Sequence, residues 1–223
     1  MKVLVACEES QRVCTAFREK GHEAYSCDIQ ECSGGHPEWH IRGDALQALK
    51  GGIILTDDWV MHDIGKWDML IAHPPCTYLS AVTTRHLSLR VTPPEKVVSR
   101  MWNLAEAAVF FMNFALADIP KIAIENPKGY MARLWRKPDQ MIHPYYFAES
   151  EEDESYEKKG TCLWLKGLPP LQRTSHLPEP KPKSFSPHTG KAYYFEESVT
   201  TDRAKNRSKT FPAVARAMAE QWG

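Results

Sequence analysis

The chain has 223 residues, 43% hydrophobic and 25% charged, as expected for one globular domain or one domain with a small appendage. Its 28 Lys and Arg residues balance 28 Asp and Glu residues, so net charge gives no sign of a nucleic-acid partner, which would have to meet a local basic surface. No apolar run approaches the ~18 residues of a membrane span, and six cysteines without a signal peptide are typical of reduced thiols in a cytoplasm.

The chain begins with a predicted strand followed by a predicted helix. Residues 3–6 are a short, entirely apolar run, which is typical of a strand buried on both faces of a parallel sheet. The spacing of Val13, Ala16 and Phe17 predicts a helix, which Gly21 ends.

A second strand is predicted at residues 24–27, and Asp28 follows directly at its end. In a dinucleotide-binding unit, an acid at this position accepts hydrogen bonds from ribose hydroxyls. Asp44 is a predicted N-cap for a short helix over residues 45–50, and residues 53–55 form a third apolar strand or a short connector.

The most informative segment lies near the middle of the chain. Residues 69–72 are an apolar strand, because the Pro-Pro pair at residues 74–75 cannot continue a helix, and Cys76 follows at once. A cysteine held on a loop by a rigid proline pair is suited to act as a nucleophile. A lone cysteine after a turn is more often only a small buried apolar residue, so the rest of the chain must decide.

A long helix and a second strand stopped by proline come next. Residues 92–116 have apolar side chains at helical spacing after a Pro-Pro helix start, and the helix ends before Pro120. Residues 121–124 then form a strand that leads into Glu125 and Asn126. This alternation predicts an α/β fold with a doubly wound, mostly parallel sheet.

The sequence changes character at about residue 137. An acidic run at residues 149–154 and a Pro/Lys-rich stretch at residues 168–187 replace the alternation, and residues 161–165 are a predicted strand between them. A final amphipathic helix is predicted over residues 211–222.

Two predicted strand ends therefore present a cysteine and a glutamate, each fixed by proline. A thiolate can add to C6 of a cytosine while an acid protonates N3, which gives C5 enough enamine character to attack an electrophilic donor. This chemistry needs one nucleophile, one carboxyl group and a donor pocket at the same edge of a sheet.

These residues resemble the motifs of the cytosine-C5 DNA methyltransferases, especially the compact, often phage-encoded members. Pro-Cys-Thr-Tyr-Leu-Ser at residues 75–80 is similar to the family's Pro-Cys-Gln-x-Phe-Ser loop, and Ile-Glu-Asn-Pro at residues 124–127 to its Glu-Asn-Val. Residues 208–213 resemble the C-terminal Gly-Asn-Ser-Val-Pro segment beside the cofactor. The loop at residues 7–11 differs, because it lacks the family's Phe-x-Gly-x-Gly, and no Gln-x-Arg-x-Arg segment follows Glu125.

The resemblance implies a fold of the S-adenosylmethionine-dependent methyltransferase type. It implies methyl transfer from S-adenosylmethionine to C5 of a cytosine that is flipped out of DNA, with no membrane partner. Residues 1–136 together with 203–223 would form the catalytic, donor-binding domain, and residues 137–202 a small irregular recognition region. A phage-encoded member would act in the host cytoplasm.

The resemblance also implies roles for individual residues. Cys76 would be the nucleophile, Glu125 the acid at N3, and Asn126 the support of the Glu125 loop. Asp28 and Asp44 would hold the ribose and adenine of the donor. The full set of implied donor-binding residues is Glu8, Ser10, Asp28, Asp44, Pro74, Lys209 and Thr210. The implied substrate-binding residues are Thr77, Ser80, Arg85, Arg203 and Arg207.

Lys209 makes a second donor possible, because it occupies the position of the Asn in the family's C-terminal segment. A cationic amine there would suit carboxy-S-adenosylmethionine, and the product would be 5-carboxymethylcytosine. The simpler interpretation is that Lys209 is exposed to solvent or contacts a phosphate.

Two further functions remain open at this point. The neutral charge and the short second region favour the same chemistry on a free pyrimidine nucleotide. The missing glycine loop instead favours a catalytically silent DNA-binding protein that keeps the fold.

Two histidine-containing segments have competing interpretations. Cys27, Cys32, His36 and His40 have a spacing that suggests zinc, but it matches no common structural site, and we predict no metal. His73 follows a predicted strand, and we expect its ring to bond to the backbone rather than to assist near the base.

Overall fold

The structure is a computed structural model that describes residues 1–81, 86–185, 190, 192–194 and 209–223. These residues form an α/β architecture in which a mostly parallel sheet has helices on both faces. In the described ranges, no helix is both long enough and apolar enough to span a membrane.

Strands and helices are interspersed along the first 134 residues, and β4, β5 and β6 follow one another without a helix between them. The strands are β1 (Lys2–Ala6), β2 (Glu23–Asp28), β3 (His40–Arg42), β4 (Gly52–Leu55), β5 (Met61–Gly65), β6 (Met69–Ala72), β7 (Lys121–Pro127), β8 (Gln140–Ile142), β9 (Thr161–Lys166), β10 (Ser184–Phe185) and β11 (Ala192–Tyr193). The helices are α1 (Arg12–Glu19), α2 (Ala45–Ala48), α3 (Pro94–Ala115), α4 (Met131–Leu134) and α5 (Pro212–Trp222).

Seven strands of the described residues form the central sheet, in the order β3-β2-β1-β6-β7-β9-β8. The first five of these are parallel to one another, while β9 is antiparallel to both β7 and β8. The predicted α/β class with a mostly parallel sheet is therefore confirmed. The chain proceeds from β1 outward to β3 on one side and then returns to β6 and β7 on the other, so the strand order reverses between β1 and β6. In open α/β sheets, such a switch point is where ligands bind, at the carboxyl ends of the strands.

Two apolar layers cover the sheet. On one face, α1 and α5 bury Phe17 and Met218 against strand residues such as Val5. On the other face, α3 buries Phe111 and Phe114. The ring of Phe111 lies edge-on to Trp164, with 5.2 Å between centroids.

Three strands, β9, β8 and β4, compare differently with the sequence predictions. The predicted strand at residues 161–165 is confirmed as β9, which pairs with β7 along its whole length. The short β8 pairs with β9, so two strands from the segment after residue 137 belong to the central sheet. Residues 53–55 belong to β4, which forms an antiparallel hairpin with β5 outside that sheet and leaves Ile53 exposed.

Candidate active site at the carboxyl edge of the sheet

Three polar side chains form a row across neighbouring strands β1, β6 and β7. Ala6 of β1 pairs with Ala72 of β6, which in turn pairs with Ile124 of β7. The next residues, Cys7, His73 and Glu125, therefore stand side by side, because parallel strands end at the same edge. This row lies at the switch point of the sheet.

The loop that carries Cys76 begins directly after this row. The backbone N–H of His73 donates to the carbonyl of Ala6 at 2.9 Å, which continues the β1–β6 pairing by one residue. Pro74 is buried, whereas Pro75 and Cys76 are exposed. The carbonyl of Cys76 accepts hydrogen bonds from the N–H groups of Leu79 and Ser80, at 3.1 and 2.9 Å. A tight turn thus holds the thiol at the surface.

The end of β7 and the residues after it fix this loop. The buried Asn126 amide donates to the carbonyl of Pro74 at 2.7 Å, and the N–H of Tyr130 donates to the carbonyl of Leu79 at 2.8 Å. Gly129 lies so close that a Cβ atom there would stand 1.9 Å from the Leu79 carbonyl oxygen, so only glycine fits. The strand with Glu125 and the loop with Cys76 are therefore positioned by shared contacts.

The ring of His73 bonds to a side chain rather than to the backbone, so our expectation for this residue was wrong. His73 Nδ1 lies 2.8 Å from Oε2 of Glu125, and their side chains are only 9% and 17% exposed. His73 Nε2 is buried and has no hydrogen-bond partner among the described residues. The discrepancy arises because the partner is 52 positions away along the chain, and only the β6–β7 register brings the two together.

The electrostatics of this pair favour an ion pair at neutral pH. Burial alone would lower the pKa of His73, but its hydrogen bond to Glu125 and the charges of Glu125 and Glu8 raise it above its ordinary value. Burial alone would raise the pKa of Glu125, but the hydrogen bond and charge of His73, with a smaller effect of Lys159, hold it below its ordinary value. The carboxyl group predicted to act as an acid is therefore ionised at rest, and the proton of the pair lies on the imidazole.

The carboxylate of Glu8, which was predicted to bind the donor, is hydrogen-bonded to backbone groups of the protein itself. Its two oxygens accept hydrogen bonds from the N–H groups of Val13 and Cys14, at 2.6 and 3.2 Å, in the first turn of α1. Burial raises the pKa of Glu8, while the charge of His73 and these two hydrogen bonds oppose that rise. Ser10 lies in the same loop and is buried.

The loop at residues 7–11 makes its turn without glycine. Cys7 and Gln11 both adopt the left-handed backbone region, with φ of 60° and 58°. The Gln11 side chain accepts a hydrogen bond from His36 N–H at 3.0 Å and donates to the His36 carbonyl at 2.8 Å. A Cβ on Gly34 would lie 2.6 Å from the Cβ of Gln11, so the loop around Gly34 closes tightly over this side chain.

The two aspartates predicted for the ribose and adenine lie near each other. Asp44 accepts from the N–H of Leu46 at 2.9 Å, which confirms the predicted N-cap, and Asp28 accepts from the N–H of Gln30 at 2.9 Å. Burial and then the charges of Asp28 and Asp44 raise the pKa of Cys27 to about 12. The same two charges add to the effect of burial in raising the pKa of Cys7, which follows the end of β1.

The segment that leads into α5 closes the site on the α1 side. The carbonyl of the buried Thr210 accepts a hydrogen bond from Arg12 Nη1 at 2.9 Å, which places Thr210 beside the start of α1. Lys209 is half-buried. The ammonium of Lys159 lies 5.4 Å from the ring centroid of Phe211, and its charge also reaches His73 and Glu125.

The predicted substrate-binding residues are only partly described. Thr77 is exposed next to Cys76, and Ser80 forms a backbone bridge with Gly129. Arg85, Arg203 and Arg207 lie outside the described residues.

The histidines of the zinc-like segment are engaged by other groups. His40 Nδ1 lies 2.8 Å from the hydroxyl of Ser26, and its Nε2 lies 2.9 Å from the Gln30 carbonyl. His36 stacks on Trp39 with 3.8 Å between ring centroids. Over the described ranges, no three His, Cys, Asp or Glu side chains are arranged to hold a metal ion.

Sequence reasoning missed two members of the site, the imidazole of His73 as the partner of Glu125 and the ammonium of Lys159. His73 carried a usable signal, because it directly follows an apolar strand in a predicted parallel sheet, as a residue at the carboxyl edge must. Lys159 carried none, because its approach depends on the antiparallel placement of β9.

Comparison with models of protein families and with curated proteins finds no match to this chain.

Proposed function

We propose that this protein alkylates C5 of a cytosine in DNA, with S-adenosylmethionine as the donor and a covalent bond between Cys76 and C6 of the base. One observation carries the proposal. An exposed thiol and a mostly buried carboxyl group are fixed to each other at the carboxyl edge of a parallel sheet, through Asn126 and Gly129.

The residues divide the reaction as follows. Cys76, as the thiolate, forms a bond to C6. The electron pair of the C5–C6 double bond shifts to C4–C5, and that of the C4–N3 double bond shifts to N3, which receives a proton from Glu125. C5 then bonds to the transferred carbon as the carbon–sulfur bond of the donor breaks and its electron pair stays on the sulfur. The C5 proton leaves to solvent, and the Cys76–C6 bond breaks as the N3 proton returns to Glu125. The hydrogen-bonded loop supports these reaction steps, because the thiol must reach C6 and the carboxyl group must reach N3 on the opposite side of the same cytosine ring.

The edge beside β1 and β2 suits the adenosine part of the donor. Asp28 and Asp44 offer carboxylate oxygens to ribose hydroxyls and to an exocyclic amine, and the 80%-exposed Ile29 offers an apolar surface to a purine. The donor, when bound, supplies an electrophilic methyl group. Lys209 adjoins Thr210 at the other side of the 7–11 loop. Its ammonium could pair with an extra carboxylate on the donor, so carboxy-S-adenosylmethionine is the second donor to be tested.

Basic side chains around the Cys76 loop support a polyanionic substrate. The exposed Lys128 has its carbonyl 3.2 Å from the N–H of Ala81, which places Lys128 beside the loop. Arg100 lies over the ring of Tyr78, 5.4 Å from its centroid. Such cations can contact phosphates that flank a flipped base.

The test is mass spectrometry of nucleosides from cytosine-containing DNA after incubation with the protein. Parallel reactions contain S-adenosylmethionine or carboxy-S-adenosylmethionine, and a further reaction replaces DNA with dCMP. We expect a mass gain on deoxycytidine in DNA, and its size identifies the transferred group.

Two matched variants show whether the thiol does the chemistry. C76A should abolish the mass gain and also the covalent complex with DNA that contains 5-fluorocytosine, whereas C32A, which removes a half-buried thiol elsewhere, should keep both. A gain only on dCMP, or no gain with a folded protein and either donor, would overturn the proposal.

A further inference from the structure

We infer that His73 is a positioning residue that fixes the Glu125 carboxyl group and carries the proton which Glu125 delivers to N3 of the cytosine. The inference rests on the proposed function and adds a residue that the motif resemblance does not include.

The geometry provides one path between the two residues. His73 Nδ1 and Glu125 Oε2 are 2.8 Å apart, a distance at which a proton can pass between them. The contact is mostly shielded from water, since the two side chains are 9% and 17% exposed.

The surrounding charges determine where the proton rests. Glu8 faces His73 from the loop after β1, Glu125 from β7, and Lys159 from the segment before β9. Cys162 of β9 also lies near Glu125, and burial raises the pKa of this thiol, so it stays neutral. Two carboxylates against one ammonium favour the imidazolium. The resting pair is thus a protonated His73 and an ionised Glu125.

The proton transfer balances over one cycle. The Nδ1 proton moves to Glu125, which leaves His73 neutral and Glu125 a neutral acid. The acid gives this proton to N3 as Cys76 bonds to C6. When the Cys76–C6 bond breaks, the proton returns from N3 to Glu125 and then to Nδ1, so the pair ends as it began.

The pH dependence has a definite sign. Activity should hold while the pair keeps its proton and should fall as pH rises through the pKa of His73, which lies above its ordinary value. In H73A, Glu125 loses both its proton source and its orientation. The maximal rate should then drop on the order of 100-fold, as for the loss of a general acid.

A conservative variant separates orientation from proton transfer. The amide of H73N can still donate to Glu125 from a position close to that of Nδ1, but it cannot titrate. We expect H73N to recover adduct formation with 5-fluorocytosine DNA, while its rate declines at a lower pH than that of the wild type. H62N, which changes a histidine of the separate β4–β5 hairpin, should keep the wild-type pH profile.

The experiment combines pH–rate profiles of these variants with a ¹⁵N NMR titration of the imidazoles in the protein without DNA. In the titration, E125Q should lower the pKa of His73. An unchanged pKa in E125Q, or a wild-type pH profile in H73N, would overturn the inference while DNA modification by the wild type still stands. No modification of DNA by the wild type would instead remove the proposed function and the delivery to N3 together, and the titration alone would then report whether the pair shares a proton.

Discussion

At the scale of single residues, the 7–11 loop shows how a turn can be made without glycine. Cys7 and Gln11 adopt positive φ values, which cost non-glycine residues on the order of 1 kcal/mol each. The hydrogen bonds of the buried Gln11 side chain with His36 and Ser26 offset this cost. Strained backbone that is held in place by its surroundings is common at ligand sites.

Gln11 therefore provides a test of how the loop is held. Q11A keeps the unfavourable backbone angle but removes three buried or partly buried hydrogen bonds, so we expect a loss of about 2–4 kcal/mol in the free energy of unfolding. Urea denaturation measures this loss. Q30A, at an exposed position, should change stability by no more than about 0.5 kcal/mol, and equal effects of the two variants would contradict the role of Gln11.

The thiols should differ in reactivity. All six cysteines lie in the described residues, and Cys76 alone among them is exposed. Burial raises the pKa of each of the other five thiols, which lowers their nucleophilicity at neutral pH. A maleimide at limiting concentration should first label the peptide that contains Cys76, as read by mass spectrometry. Preferential labelling of another cysteine would show that the loop is more closed than described.

At the scale of elements, the long helix α3 has three buried side chains, those of Val97, Phe111 and Phe114. Phe111 is fully buried, with its ring edge-on to those of Trp135 and Trp164. We expect F111A to lower the free energy of unfolding by about 3–5 kcal/mol, because it opens a cavity between the helix and the sheet. V109A, on the 63%-exposed side of the same helix, should change it by less than about 1 kcal/mol. Thermal or urea denaturation of both variants checks the difference.

The strands also show which features could be predicted from neighbouring residues in the sequence and which depend on residues far apart. The strands that end at Ala72 and Pro127 were predictable, because in each case an apolar run indicates the strand and a proline marks its end. The membership of β9 in the central sheet was not, because its pairing with β7 joins residues some 40 positions apart along the chain. For the same reason, Cys76 and Glu125 could be chosen as reactive residues from their motifs, whereas the bond between His73 and Glu125 required the strand order.

At the scale of the whole molecule, the buried pair makes stability depend on pH. The folded-state pKa of His73 lies above its ordinary value, so its contribution is present below about pH 6.5 and is lost as pH rises through the higher value. The folded-state pKa of Glu125 lies below its ordinary value, so its contribution is lost only when pH falls through that lower value. The stability difference between wild type and H73N should therefore be larger at pH 6 than at pH 8, as measured by urea denaturation. A difference that grows with pH would contradict the ion pair.

The packing of α5 on α1 has a consequence for synthesis on the ribosome. The apolar side of α1, including Val13 and Phe17, is covered by Val214, Ala217 and Met218 of α5. At roughly 5–20 residues per second, the ribosome needs on the order of 10–40 s to proceed from the end of α1 to α5. For that time the nascent chain carries an uncovered apolar surface on its first helix, so chaperones that bind such surfaces have a defined target and a defined interval in which to act.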